Sequence, residues 1–304
     1  MQIYLPVAEL SLNILLLVGI GLAIGFLSGM FGIGGGFIMT PLLIFLGVPA
    51  GVAVGTGASQ VVASSVSGAI GHWRRNNIDV QMAGLLIFGG VFGAIFGVQL
   101  LAILKAYGQL EFFVSLMYVV LLGVVGGLML IESVRAMRAT GAVAASRRKG
   151  GQHTWLEGLP LKQRFRASKI YISVIPPVAI GMFVGLLTAV MGVGGGFMMV
   201  PAMIYLLRMP TKLVIGTSTL QILFVTAFTT VLQATQNHSV DMMLAVPMIA
   251  GGVVGAQLGV GYGERLKAEQ LRALLALLVL AVAVRMALGL TIRPSDLFVI
   301  EVPS

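Results

Sequence analysis

The chain has 304 residues, of which 58% are hydrophobic and only 10% are charged, and its formal net charge is +9. Because a soluble domain carries about 25% charged residues, this composition excludes a soluble globular protein and predicts an integral membrane protein. The apolar runs are long and continuous, which excludes a transmembrane barrel, and the absence of cysteine excludes disulfides and thiol chemistry.

Five apolar segments make up the first half of the chain. The first, at about residues 11–31, ends in a glycine-rich stretch. The second, at about 36–48, is too short for a crossing, which needs about 20 residues. We therefore expect this second segment to be a half-helix, a re-entrant arm or a segment buried in protein. Three longer segments follow, at about 52–71, 81–104 and 110–131.

A polar linker, at about residues 133–170, separates the two halves of the chain. Residues 132–169 contain nine Lys and Arg residues against two acidic residues. Because basic residues collect in the cytoplasmic loops of membrane proteins, we interpret this stretch as a cytoplasmic linker. A role in binding nucleic acid or lipid headgroups is the less favoured alternative, so no nucleic-acid partner is expected.

The second half repeats the first. Its apolar segments lie at about 172–191, 196–207, 213–234, 242–262 and 271–288. Matching stretches, such as Gly89-Gly-Val-Phe-Gly-Ala94 and Gly251-Gly-Val-Val-Gly-Ala256, are separated by an offset that drifts only from 160 to 162 residues. We interpret the chain as an internal duplication, with repeats over residues 10–132 and 171–290.

The odd number of segments in each repeat predicts that the two copies have opposite orientations. With the linker placed inside the cell, the loops containing Arg74, Arg208 and Arg265 also fall inside, while loop 235–241 contains no Lys or Arg and falls outside. The prediction is thus an all-α membrane protein of eight to ten segments in two inverted-topology repeats. This prediction places the protein in the cell (inner) membrane, with both termini on the outer side.

A glycine motif is written once in each half, as Gly32-Ile-Gly-Gly-Gly36 and Gly192-Val-Gly-Gly-Gly196. Each glycine in a helix interior costs roughly 1 kcal/mol relative to Ala, so the motifs predict broken helices. A broken helix that recurs in both halves points to a transport site, where helix N-termini with partial positive charge can bind an anion. Tight packing alone is the alternative. The candidate site glycines are Gly32, Gly34, Gly35, Gly36, Gly192, Gly194, Gly195 and Gly196.

Two glutamines are the next candidates for the site. Gln60 and Gln221 lie inside apolar segments at the same repeat position, each after a Gly-Thr pair. Their amide NH₂ groups could bind an oxyanion, although an interhelical hydrogen bond is an equally good interpretation. Thr56 and Thr217 are weaker candidates, because a membrane threonine more often bonds to the backbone of its own helix.

Other polar residues suggest structural roles more than chemistry. Arg285, near the end of the last segment, either snorkels to the interface or attracts anions on the outer side. Asp79 and Asp241 occupy equivalent junctions between loop and segment, where they could gate or cap a helix; we favour capping. Neither glycine motif is a nucleotide-binding loop, and no histidine and carboxylate cluster resembles a metal site, so we expect no cofactor and no enzyme.

Taken together, the paired glycine motifs, the Gly-Thr…Gln segments and the basic linker resemble the TauE/SafE sulfite exporter family. The resemblance covers about residues 14–288. It implies an inner-membrane permease for small sulfur-containing anions such as sulfite or organosulfonates. It also implies functional roles for both sets of motif glycines, for Gln60 and Gln221, and for Pro41 and Pro201. Gly57 is replaced by Ser218 in the second copy, so the halves are not interchangeable.

The leading hypothesis is therefore a transporter with its site near the membrane midplane, between the repeats. Its partners would be a small anion and the lipid bilayer, and homo-oligomer formation is left open. A channel-like anion pore without alternating access is one alternative. A non-transport membrane scaffold that acts through the basic linker is another, and a membrane enzyme is the least favoured because no catalytic cluster is evident.

Overall fold

The computed structural model describes residues 2–31, 35–138, 160–165, 167–168, 170–263 and 268–291. These ranges are mostly helical, which confirms the predicted all-α membrane fold. Most of the predicted linker, residues 139–159, lies outside them. Within the described ranges, four helical stretches are long and apolar enough to cross a membrane: Val80–Ala106, Leu110–Leu128, Leu213–Gln236 and Met242–Gly259.

Each predicted apolar segment corresponds to a helix, and the order of long and short helices is the same in both halves. The first half contains α1 (Ile14–Phe31), α2 (Gly36–Phe45), α3 (Ala50–Arg74), α4 (Val80–Ala106) and α5 (Leu110–Arg138). The second half contains α6 (Ile175–Met191), α7 (Gly196–Tyr205), α8 (Thr211–Gln236), α9 (Met242–Gly263) and α10 (Ala268–Thr291).

A short β-hairpin precedes the first helix of each half, and the sequence analysis did not predict either one. The strands β1 (Gln2–Leu5) and β2 (Leu10–Asn13) pair antiparallel before α1, and β3 (Lys162–Phe165) and β4 (Ile170–Ser173) pair antiparallel before α6. The predicted first segment therefore starts three residues too early. The apolar run continues from the strand into the helix, so hydropathy does not mark the boundary.

The two short helices fold back toward the side on which their half begins. A Cβ atom on Gly47, just after α2, would lie 3.8 Å from Cδ1 of Leu10 in the hairpin that precedes α1. In the second half, Phe165 of the hairpin shares an apolar cluster with Met203 and Leu207 at the end of α7. Of the three options that the sequence left for the short segment, the re-entrant arm describes both pairs, α1–α2 and α6–α7.

The two halves pack against each other through equivalent pairs of helices. The first helix of each half packs along the fourth helix of the other, as α1 with α9 and α6 with α4. The equivalent third helices, α3 and α8, run antiparallel. Gly55 near the start of α3 lies beside Ser239 just after α8, whereas Gly216 near the start of α8 lies beside His72 at the end of α3.

Close backbone contact holds the helix pairs α1–α9 and α6–α4 together. A Cβ atom on Gly25 of α1 would lie only 2.7 Å from the Cα atom of Gly252 in α9. At the equivalent place, a Cβ atom on Gly185 of α6 would lie 2.7 Å from the Cα atom of Gly90 in α4. Small residues allow helices to approach this closely in a membrane, where van der Waals packing replaces the hydrophobic effect.

The largest buried apolar cluster surrounds the two places where the helices break. Phe37 at the start of α2, Phe197 at the start of α7 and Met191 at the end of α6 all belong to it. The buried hydroxyl of Tyr118 on α5 donates a hydrogen bond to the backbone carbonyl of Met191. This bond satisfies a carbonyl that α6 leaves free where it ends, and the packed cluster fixes the position of both breaks.

Candidate functional site

Glycines in a left-handed conformation break the helices, as the motifs predict. Gly35 has φ of 48° and is the N-cap of α2. Gly192, Gly194 and Gly195 have φ of 68°, 75° and 68°, and Gly195 is the N-cap of α7. Residues with a Cβ atom rarely adopt this conformation, so the backbone geometry itself requires glycine. Gly32 and Gly34 of the first motif lie outside the described residues.

The two breaks meet each other in the centre of the protein. A Cβ atom on Gly36 would lie 2.7 Å from the carbonyl oxygen of Val193 and 2.9 Å from that of Gly192. The rings of Phe37 and Phe197 follow directly, with their centroids 6.2 Å apart. The starts of α2 and α7, which belong to different halves, are therefore brought to one place.

Gln60 and Gln221 are buried, and neither amide has a partner within the described ranges. Gln60 is 1% exposed and Gln221 is 0% exposed. Neither the Oε1 atom nor the Nε2 atom of either side chain makes a hydrogen bond to any part of the chain that the structure describes. Buried polar side chains are nearly always hydrogen-bonded, and an unpaired amide is costly. Among the described residues, neither glutamine makes the interhelical hydrogen bond that the sequence left as an alternative.

A glycine on a helix of the other half makes room for each glutamine. A Cβ atom on Gly252 of α9 would lie 2.6 Å from Nε2 of Gln60, and a Cβ atom on Gly90 of α4 would lie 3.2 Å from Nε2 of Gln221. Each of these four residues is the eleventh of its helix. Both amides thus lie well inside the bundle, far from the helix ends.

Each glutamine also lies near the glycine break of its own half. Gly252, which faces the Gln60 amide, is in backbone contact with Gly25 of α1, and the neighbouring Ile24 of α1 approaches Gly35. The second half has the same chain of neighbours, from Gln221 through Gly90, Gly185 and Val184 to Gly195. The structure therefore brings the predicted glutamines and the predicted glycine breaks into two equivalent regions that adjoin each other. A Cβ atom on Gly194 would lie 2.6 Å from Val61 and 3.1 Å from Ile222, which follow Gln60 and Gln221 in the chain.

The electrostatics of these regions come from backbone and amide groups. Helices α2 and α7 start here, and the first N–H groups of a helix have no partner within it and carry partial positive charge. Among the side chains that the structure describes, no Lys or Arg is buried, and the buried carboxylates are Asp79 and Asp241. A buried region of this kind offers N–H donors without a full positive charge.

Thr56 and Thr217 are hydrogen-bonded to the starts of the fourth helices. The Oγ1 atom of Thr56 accepts a hydrogen bond of 3.1 Å from the backbone N–H of Asp241, and that of Thr217 accepts one of 3.0 Å from the N–H of Asp79. Each threonine therefore joins the third helix of its half to the start of the other half's fourth helix. A part for either threonine in substrate binding stays a prediction.

Asp79 and Asp241 cap helices, as we favoured, and also hold the hairpins that the sequence analysis missed. Oδ1 of Asp79 accepts from the N–H of Met82 in α4, and Oδ2 accepts from the N–H and the hydroxyl of Ser168 in the second hairpin. Asp241 caps α9 in the same way, and its Oδ2 accepts from the N–H of Val7 in the first hairpin at 2.9 Å.

The remaining residues that the sequence singled out have structural surroundings. Pro41 and Pro201 occupy the sixth positions of α2 and α7. Arg285 is exposed near the end of α10, with its guanidinium 5.0 Å from the ring centroid of Phe45. This position agrees with an interfacial arginine.

Gly90 and Gly252 are the site residues whose role the sequence analysis did not assign. They were noted only as members of a repeated glycine-rich stretch. The repeat spacing could have identified them, because Gly90 and Gly252 are separated by almost the same number of residues as Gln60 and Gln221.

Comparison with known proteins places the chain in one family. The profile of that family, described as sulfite exporter TauE/SafE, matches residues 17–286. A relative from Bacillus subtilis, named probable membrane transporter protein YjnA, is 28% identical over 89% of this chain and 97% of its own length. A relative from Xylella fastidiosa, named probable membrane transporter protein, is 29% identical over 90% of this chain and 94% of its own length. No solved structure matches significantly. Because the profile covers most of the described helices and the relatives align over nearly their whole length, the chain belongs to the TauE/SafE sulfite exporter family.

Proposed function

We propose that this protein is a permease for a small anion, namely a sulfur oxyanion such as sulfite or an organosulfonate. The anion binds near the membrane midplane between the two halves, at the helix breaks. One observation carries this proposal. Two buried glutamine amides, Gln60 and Gln221, lack hydrogen-bond partners among the described residues. The residues that follow them in the chain, Val61 and Ile222, approach the motif glycines Gly36 and Gly194.

The chemistry of the site suits an anion that must bind and leave again. Amide NH₂ groups and the free N–H groups at helix N-termini donate hydrogen bonds to oxyanions. A buried Lys or Arg would hold the anion more tightly, and no described side chain of either type is buried. Transport requires the anion to bind strongly enough to enter the site and weakly enough to leave it. Neutral hydrogen-bond donors provide binding of this intermediate strength.

The orientation of the protein forms part of the proposal. We infer two inverted-topology repeats in the cell (inner) membrane, with the basic linker in the cytoplasm and both termini outside. The antiparallel course of α3 and α8 supports this arrangement, because helices related by a twofold axis in the membrane plane must run in opposite directions. Inverted repeats with re-entrant arms bring the two breaks together from opposite sides.

Single cysteines can test the orientation, because the natural chain contains none. Arg74 and Lys105 are both exposed and lie at opposite ends of the bundle. We expect Lys105→Cys to react with a membrane-impermeant maleimide in intact cells, and Arg74→Cys to react only after permeabilisation. The reverse pattern would contradict the proposed orientation.

Transport itself is tested by sulfite uptake into proteoliposomes that contain the purified protein. We expect saturable uptake that is absent from empty liposomes, with an imposed pH gradient reporting on proton coupling. If neither sulfite nor any organosulfonate crosses the membrane in such vesicles, the proposed function is wrong while the family membership stands.

Two other functions make different predictions in the same assay. A channel-like pore would give sulfite flux without counterflow, whereas a permease accelerates uptake of labelled sulfite when unlabelled sulfite is present inside. A membrane scaffold would depend on the linker, so shortening residues 141–158 would abolish its function. A permease should retain sulfite flux after that deletion.

A further inference from the structure

We propose that the site at the two glutamines selects an anion with a single negative charge and a hydrogen-bond donor of its own. Hydrogensulfite fits this description, whereas fully deprotonated sulfite and sulfate do not. The inference rests on the proposed function, because it names the ionisation state of the substrate that the same site takes.

The hydrogen-bonding capacity of the two amides carries the first step. Both the Nε2 donor and the Oε1 acceptor of Gln60 lack partners among the residues that the structure describes, and the same is true of Gln221. A bare oxyanion can accept hydrogen bonds from Nε2, but it has nothing to donate to Oε1 and repels it. Exchanging the oxygen and nitrogen of either amide by a flip does not change this requirement. A ligand that satisfies both atoms of an amide must therefore accept and donate.

The charge balance of the site carries the second step. No buried Lys or Arg lies among the described side chains, so the positive potential comes mainly from the starts of α2 and α7. A helix N-terminus is equivalent to roughly half of a positive charge, so two of them match about one negative charge. The cost of removing an ion from water rises with the square of its charge. A dianion would therefore be poorly compensated at this site.

A matched pair of sulfonates isolates the donor requirement. Ethanesulfonate and 2-hydroxyethanesulfonate both carry one negative charge at all relevant pH values, and they differ by one hydroxyl group. We expect 2-hydroxyethanesulfonate to bind the purified protein about tenfold more tightly, because its hydroxyl can donate to an amide oxygen. The measurement is the ligand concentration that gives half of the maximal rise in the thermal unfolding midpoint.

Sulfite tests the charge requirement, because hydrogensulfite loses its proton near neutral pH. Above that point, the total sulfite concentration needed for half-maximal stabilisation should rise about tenfold per pH unit, as the monoanion is depleted. Ethanesulfonate reports any effect of pH on the protein itself, and its half-maximal concentration should stay constant. Sulfate should give no stabilisation at concentrations at which sulfite saturates.

Other outcomes would overturn the inference. Sulfite binding that is unchanged or tighter at high pH, or sulfate binding as tight as that of sulfite, would show that the site accepts dianions. Equal binding of the two sulfonates would show that no donor is needed. In each of these cases the proposed transport function would stand. Failure of sulfite and both sulfonates to bind or to cross proteoliposome membranes would instead remove the proposed function and this inference with it.

Discussion

Replacing Gly252 with Ala should displace the Gln60 amide while leaving the glutamine itself intact. A Cβ atom on Gly252 would lie 2.6 Å from Nε2 and 3.5 Å from Cδ of Gln60. Unstrained contacts of this kind begin at about 3.4 Å, so the amide nitrogen has to move by about 0.8 Å. Because the clash involves the free end of a flexible side chain, the helices can remain in place.

A displacement of this size should impair the site more than the fold. Misplacing an interacting group by about 1 Å can lower a rate by roughly 100-fold, so we expect initial sulfite flux to fall by at least about tenfold. The assay compares flux at equal amounts of reconstituted protein with the thermal unfolding midpoint in detergent, which should change little. Gly84→Ala is the matched control, because a Cβ atom on this exposed glycine of α4 meets nothing within 4 Å.

Normal flux through Gly252→Ala with an unchanged unfolding midpoint would refute this reasoning. It would show that Gln60 does not need its present position for transport. Loss of flux together with a large fall in the midpoint would instead show that the helix pair α1–α9 has been disturbed.

Three further predictions concern stability, each measured by unfolding of the purified protein. Gly25→Ala should lower the free energy of unfolding by about 1–3 kcal/mol, because the added Cβ atom meets the backbone of α9, whereas Gly19→Ala on the same helix meets nothing and should have no such cost. Asp241→Ala should cost about 1.5–3 kcal/mol, because it removes the acceptor for the first hairpin and the start of α9, and Asp79→Ala should cost a similar amount. Tyr118→Phe should cost about 1–3 kcal/mol by leaving a buried carbonyl without its donor. Wild-type stability in any of these variants would contradict the contact assigned to that residue.

The order of helices could be predicted because long, continuous apolar runs restrict this membrane protein to helices. Apolar runs give their number, and the glycine motifs give the two breaks. The matched positions of Gln60 and Gln221 also identified two amides that are buried without a partner in the described part of the chain. These features are local or repeated in the sequence, so one sequence is enough to find them.

The packing of the first helix of each half against the fourth helix of the other half could not be predicted. Hydropathy shows that α1 and α9 are apolar but does not show that they contact each other. The contact depends on glycines that face each other, such as Gly25 and Gly252, and facing positions on two helices are fixed by tertiary packing. For the same reason, the glycines beside the two glutamines were not recognised as part of the site.

The hairpins and the role of the threonines were also beyond sequence reasoning. Residues 11–13 form the end of a strand, although they belong to the same apolar run as α1. Thr56 has the sequence context of a residue that bonds its own helix. It instead accepts a hydrogen bond from Asp241, 185 residues further along the chain. Such pairings depend on the position of the other half.

The central claim is that the unpartnered amides of Gln60 and Gln221 bind the transported anion. The most direct test is sulfite counterflow in proteoliposomes with Gln60→Ala, Gln221→Ala and the double variant, each checked for folding by its unfolding midpoint. The account predicts that each single variant lowers counterflow, and that the double variant abolishes it while the protein stays folded. Wild-type counterflow in the folded double variant would contradict the claim and remove both glutamines from the site.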